Sequence, residues 1–427
     1  MDKKKLDEIF ANHKLWREGK GGKKAELQGV DLRGANLQEA NLQGADLRDA
    51  DLRDANLRVA DLERADLQGA NLQGANLQGA YLQGADLQEA NLQDANLKYS
   101  NLQNANLRAA NLIDANFEGA NLIDANFQKA NLRYANLQRA NLQGAYLQEA
   151  NLQEVGLQDA NLKYSNLQNA DLQGADLQGA DLGNANLQCA NLQEANLQGA
   201  YLQEANLQGA NLRVADLERA DLRRAILHRA GLRDANLQGA NLLCANLQGA
   251  DLQDVDLQGA DLRAANLRGA NLQGSNLRGA NLQYANLQNA NLQGADLQRA
   301  NLLCANLSQV KNSPFFDQYN WLCKNFEKDR EGFFVYKRIG DTEYKPPKTW
   351  KIKPKEFIEE EIDLNRTNSC GCGVNFGNKN YVLAHYISAD LWLCKLYFRD
   401  LINTCVPIYT DGKARCGRLQ LLRKIEK

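Results

Sequence analysis

The chain has 427 residues, 44% hydrophobic and 24% charged, with a formal net charge of −2. That balance carries no basic excess for generic nucleic-acid binding, and no run of about 18 apolar residues exists to form a membrane-spanning helix. Nine Cys, an odd number at ordinary density, point to reduced thiols in a cytoplasm rather than to a disulfide framework. The opening MDKKKLDEIF lacks the apolar core of a signal peptide and supports the same cytoplasmic expectation.

The first predicted element is a helix over residues 3–18. Leu6, Ile9, Phe10, His13 and Trp16 fall at helical spacing, and Asp2 can serve as N-cap. The following GKGGKK reads as a turn. His13 is taken as a packing residue of this element.

From Ala25 to Gln309 the chain repeats every five residues, giving 285 residues or 57 pentapeptides without an insertion. The central residue of each unit is Leu except at Phe117 and Phe127. Two residues earlier stands Ala, replaced only at Val30, Ser100, Val155, Ser165, Val255 and Ser275. Between them is Asn or Asp, except at Glu26, Tyr81, Tyr146, Gly156, Tyr201, Ile226 and Gly231. A period of five suits neither a helix at 3.6 nor a strand at 2. Locally, Ala and Leu are two apart, so an extended segment turns both to one side and Asn/Asp to the other. The last two residues must turn a corner. Each unit is therefore a short edge plus a turn, and stacked edges bury a continuous apolar column.

The A-(D/N)-L-x-x units resemble the pentapeptide-repeat family, over about two thirds of the chain. The resemblance implies a mainly β fold, a right-handed quadrilateral β-helix with four pentapeptides per coil and Leu/Phe and Ala inside. Fifty-seven units would make about 14 coils, roughly 68 Å long at the usual strand spacing. The Leu-x-x-Ile-x-x-x-His-x-x-Trp leader is similar to the helical leader of many such proteins and reads as a cap on the first coil. Open solenoid ends are otherwise sticky. Expected divisions are residues 1–24 (cap), 25–310 (β-helix), 311–330 (capping helix or linker) and 331–427 (a small α+β domain).

Four units per coil place residues 20 apart on one face. The repeat holds 33 acids and 21 bases. The bases are spread over all four faces. The face carrying Asp31, Asp51 and Asp54 holds 11 acids against 5 Arg. On it Asp54, Asp94, Asp114, Glu154, Glu194, Asp234 and Asp254 share one 20-residue spacing, seven of fourteen positions. They form a candidate surface for a basic protein partner. Some pentapeptide-repeat proteins are described as DNA mimics that engage DNA gyrase, which makes a DNA-mimic-like rod an alternative. A duplex of that length carries about 40 charges, against −12 for this repeat. Tyr81, Tyr164, Tyr201 and Tyr284 share a face but stand too far apart for a base-stacking platform. The repeat contains no catalytic constellation, and no cofactor, direct nucleic-acid contact or membrane contact is expected.

Past Val310 the composition changes. PFFDQYNWLCKNFEK reads as an amphipathic helix that seals the last coil. GFFVYKRIG, LWLCKLYFRDL and CGRLQLLRKI alternate as strands, CGCGVNF reads as a strand after a Gly turn, and KNYVLAHYIS as a helix. Arg366-Thr367, Cys370-Gly-Cys-Gly-Val and Cys405-Val-Pro through Cys416 resemble an uncharacterised domain often attached to pentapeptide repeats. Cys370, Cys372, Cys405 and Cys416 are weak candidates for a metal site, because their spacings of one and ten depart from zinc pairs. Gly373–Phe376 with Tyr381, His385 and Tyr386 resembles part of the nicotinamide pocket of ADP-ribosyltransferases, which implies an alternative, a small enzyme carried on the rod. Lys413, Arg415, Arg418, Arg423 and Lys424 form a basic group near the C-terminus.

Overall fold

The computed structural model describes residues 3–311 and, beyond them, seven strand segments between Gly332 and residue 425. The chain divides into two compact units, Met1–Leu257 and Gln258–Lys427.

In the first unit, helix α1 (Lys3–Arg17) leads into coils that start at Ala25. Parallel bridges join each Asn/Asp position to the one 20 residues on, from Glu26↔Asp46 to Asn236↔Asp256. One turn of the solenoid therefore takes four pentapeptides. Each edge is too short for a run of ladder pairs, so every side contributes a single bridge per coil. The bonds repeat with little variation. Leu52 N–H donates to the Asn71 carbonyl at 2.7 Å, and Asn71 N–H donates to the Ala50 carbonyl at 2.9 Å. Asp54 N–H reaches the Gln73 carbonyl at 3.0 Å. The corner closes with Ala55 N–H on the Leu52 carbonyl at 3.1 Å. Backbone polar groups are thus paired from coil to coil, as an interior without water demands.

The column inside is Leu and Ala. Leu52, Leu142 and their equivalents through the unit are fully buried, as are Phe117 and Phe127. The two Phe rings meet edge to face, centroids 6.3 Å apart. Where Ser replaces Ala, its hydroxyl is satisfied locally: Ser100 Oγ donates to the Leu97 carbonyl at 2.6 Å and Ser165 Oγ to the Leu162 carbonyl at 2.7 Å.

The Asn/Asp position does more than point outward. Asn71 Oδ1 accepts Gln73 N–H at 3.2 Å and also Asn91 Nδ2–H at 3.2 Å. Asn91 Oδ1 accepts from Asn111 Nδ2 at 3.0 Å in turn. The side chain thus holds its own turn and ties one coil to the next. A short side chain with an acceptor three bonds from Cα is what this geometry needs.

The fifth residue of all 57 units has positive φ. A four-residue turn with positive φ at its third residue favours Gly there, and Gly fills 20 of the 57. Val214 sits there at φ 60° and is 51% exposed, an unfavourable conformation for a β-branched residue. Val214→Gly is therefore expected to stabilise the unit by about 1 kcal/mol, after allowing for the extra freedom of Gly in the unfolded chain. Urea unfolding of the two proteins measures it.

In the second unit the same bridges run from Asp261↔Asn281 to Asn291↔Lys311. The remaining segments form an antiparallel seven-stranded sheet: β1 (Gly332–Ile339), β2 (Phe357–Glu359), β3 (Val374–Gly377), β4 (Asp390–Tyr397), β5 (Thr404–Cys405), β6 (Lys413–Cys416) and β7 (Arg418–Lys424). Their order is β2-β7-β4-β1-β3-β6-β5. β1 and β4 pair along their whole length, Gly332↔Tyr397 to Ile339↔Asp390, with Val335, Cys394 and Leu396 buried. The strands expected in GFFVYKRI, LWLCKLY and RLQLLRK are present. The helices expected in PFFDQYNWLCKNFEK and KNYVLAHYIS, and Asp2 as N-cap, lie outside the described residues.

Candidate functional site

All seven acids of the 20-residue spacing occupy the fifth position of their units, with φ between 54° and 61°. The turn lifts each side chain off the edge, and all seven are exposed. Two neighbouring pairs, Asp94/Asp114 and Asp234/Asp254, are one coil apart, about 5 Å along the stack. Elsewhere the acids are separated by Gly74, Tyr134, Gly174 and Val214 in turn. A Cβ on Gly74 would lie 2.6 Å from Asp54 Oδ1, and one on Gly174 would lie 3.2 Å from Glu154 Cγ. The glycines thus let the acid beneath lean along the stack toward the next one.

The arginines of the same face are committed mostly elsewhere. Arg33 and Arg53 bind the acids two residues back, Asp31 and Asp51, at 2.7 and 2.6 Å. Those hydrogen bonds hold the Asp31 and Asp51 carboxyls below the usual carboxylate range. Arg133 lies over the Tyr134 ring, 4.5 Å from its centroid. Arg233 alone reaches a member of the row, Asp234, at 3.5 Å. Glu194 and Asp254 accept from the amides of Gln193 and Gln253 at 2.9 and 3.0 Å. Asp54, Asp94, Asp114 and Glu154 make no ion pair among the described residues. Exposed pairs such as Asp31–Arg33 add little stability, but they neutralise Asp31 and Asp51 and leave the row beside them negative.

The other sequence candidates are scattered. Cys405 and Cys416 lie on β5 and β6, where Cys405 pairs with Arg415, and Cys416 with Thr404 and Val374. Cys370 and Cys372 are outside the described residues. Among those residues no group of three or more His, Cys, Asp or Glu could hold a metal. Val374, Asn375 and Phe376 are on β3, whereas Tyr381, His385 and Tyr386 are outside the described residues. Lys413, Arg415, Arg418, Arg423 and Lys424 belong to β6 and β7. No described helix is long and apolar enough to cross a membrane.

The family model for pentapeptide repeats matches within residues 25–98 and 190–311, and the model for a pentapeptide repeat region matches residues 110–187. The chain belongs to the pentapeptide-repeat family. Its solenoid is accordingly of β-helix type. HetL from the cyanobacterium Nostoc sp. strain PCC 7120, a pentapeptide repeat protein involved in heterocyst differentiation regulation, is 32% identical; the match covers 56% of this chain and 90% of HetL, with a TM-score of 0.23. A pentapeptide repeat protein from the Arabidopsis thaliana thylakoid lumen is also 32% identical, over 29% of this chain and 77% of that one, TM-score 0.20. QnrB1, a plasmid-mediated fluoroquinolone resistance protein, is 19% identical over 45% of this chain and 95% of its own, TM-score 0.33. No curated protein matches the chain.

Proposed function

We propose that this pentapeptide-repeat protein is a non-enzymatic scaffold that mediates protein–protein interaction. In this reading residues 25–310 form a right-handed quadrilateral β-helix of about 14 coils; bridges 20 residues apart within each unit and 57 consecutive pentapeptides support that count. Residues 1–24 cap it, residues 311–330 act as a linker, and residues 331–427 form a separate small domain. The free thiols of Cys189 and Cys244 suit a reducing cytoplasm.

The observation that carries the reading is the row Asp54, Asp94, Asp114, Glu154, Glu194, Asp234 and Asp254, exposed on one spacing while Arg33 and Arg53 on the same face bind Asp31 and Asp51. Its occupant is a protein with a basic surface, attracted by a field that salt screens within about 10 Å at 0.1 M. The test is capture from native lysate on the full-length chain with Asp54, Asp94, Asp114 and Glu154 changed to Lys. A basic partner retained by wild type, released by salt and lost from the variant supports the reading. A partner bound equally by both chains overturns it.

A further inference from the structure

We infer that α1 is an acid-released cap, held on the first coil by the neutral form of His13. The imidazole is 1% exposed. Its Nδ1 accepts the Ala25 N–H at 3.1 Å. That N–H opens the first pentapeptide and has no preceding unit whose Leu carbonyl could accept it, as Leu52 accepts from Ala55. Nε2 is buried and makes no well-aligned hydrogen bond, although the Gln43 carbonyl lies close enough to favour a proton on the ring. Trp16 stacks on the ring at 5.3 Å between centroids, 17° from parallel. The ring is therefore a hydrogen-bond acceptor at the junction between helix and solenoid, enclosed on its other sides.

A proton added to Nδ1 would face the Ala25 N–H donor to donor, and the bond would be lost. The charged groups around the ring reinforce this. Arg17 on α1 and Lys24 on the turn disfavour the cation, and Asp61 on the second coil favours it, as does the backbone carbonyl of Gln43. Asp61 is already shared with Arg17, 3.9 Å away, and Arg17 also donates to Gln43 Oε1. Burial is the largest effect, followed by Arg17, and together they hold the imidazole below its ordinary 6.5. With α1 released, the ring returns to about 6.5. The closed cap therefore binds fewer protons than the open one. Opening becomes more favourable as pH falls below 6.5, by up to about tenfold per pH unit, until the closed-state value is reached.

Release would uncover the apolar end of the column. Ala25, Leu27 and Leu42 are fully buried beneath this end, whereas Val30, Ala35 and Ala40 in the same coil are already half-exposed. An uncovered edge of this kind is a docking surface for other chains.

Amide hydrogen exchange on the full-length protein between pH 7.5 and 5, with rates corrected for intrinsic pH dependence, tests the proposal. Protection over residues 3–25 is expected to fall by up to tenfold per unit below pH 6.5, while residues 45–250 stay protected. In His13→Asn, Oδ1 can accept from Ala25 but cannot be protonated, so the same segment should show no pH dependence. If that variant does not hold the cap at pH 7.5, the titration of the wild-type His13 ring by NMR decides, with a midpoint below 6.5 that tracks the α1 signals expected. Unchanged wild-type protection, an equal slope in His13→Asn, or a ring midpoint at or above 6.5 would overturn the proposal.

Discussion

Leu142→Asp is expected to divide the unfolding of the first unit into two transitions. Leu142 is fully buried in the column. A carboxylate there must either lose its hydration or take up a proton, and either costs several kcal/mol. Stability in a stack is a sum of neighbouring contacts, so damage at one coil weakens its two interfaces without touching coils farther away. Leu142→Ala, which leaves a cavity but no charge, should cost about 2–5 kcal/mol. Hydrogen exchange resolved along the chain measures both. For Leu142→Asp it should show early opening around residues 120–165 with protection retained near residues 45–100 and 200–250. A single uniform loss of protection would mean that the coils do not act as separable neighbours.

Deleting the pentapeptide Ala140–Gly144 should have the opposite character, leaving stability nearly intact while moving the surface. The unit ANLQG is uncharged, and its Leu and Ala are replaced in the column by those of the following unit. The inter-coil bonds are backbone bonds of one pattern, so they can re-form with the neighbours five residues on. One exposed ion pair, Lys129–Glu149 at 3.6 Å, would be lost at little cost. Every residue after the deletion moves to the adjacent side of the coil. Asp54, Asp94 and Asp114 keep their spacing, while Glu154, Glu194, Asp234 and Asp254 leave it. Circular dichroism and thermal melting should stay close to wild type.

The reasons that parts of this molecule could be read from sequence, and others not, are visible at single residues. The period of five places Leu142 and Ala140 inside because they stand two apart on an extended edge. The turn was legible from the two residues left over after each edge, although Val214 or Tyr134 at positive φ could not be distinguished by type from ordinary surface residues. Asn71 was legible as outward. Its double role as acceptor for Gln73 N–H and for the Asn91 amide was not, since it depends on the bridge between residues 20 apart. The signal was the near-constancy of Asn and Asp there, where Gln or Ser would have served a merely solvated position. His13 was legible as a packing residue, but its bond to Ala25 required the fold. In the second unit β1, β4 and β7 follow from alternation, whereas their order does not. β1 pairs with β4 more than fifty residues later, and single-strand patterns carry no partner information. The acidic row was legible as a spacing. That Arg33 and Arg53 turn away from it to Asp31 and Asp51 was not.

The most direct measurement of the scaffold reading is partner capture by the wild-type chain and by the chain lacking Ala140–Gly144, both at equal fold stability and equal net charge. The account predicts that the deletion abolishes or strongly weakens retention of the basic partner, because the seven acids no longer share one side. Equal retention by the two chains would contradict it and would show that the alignment of these acids is not what the partner reads.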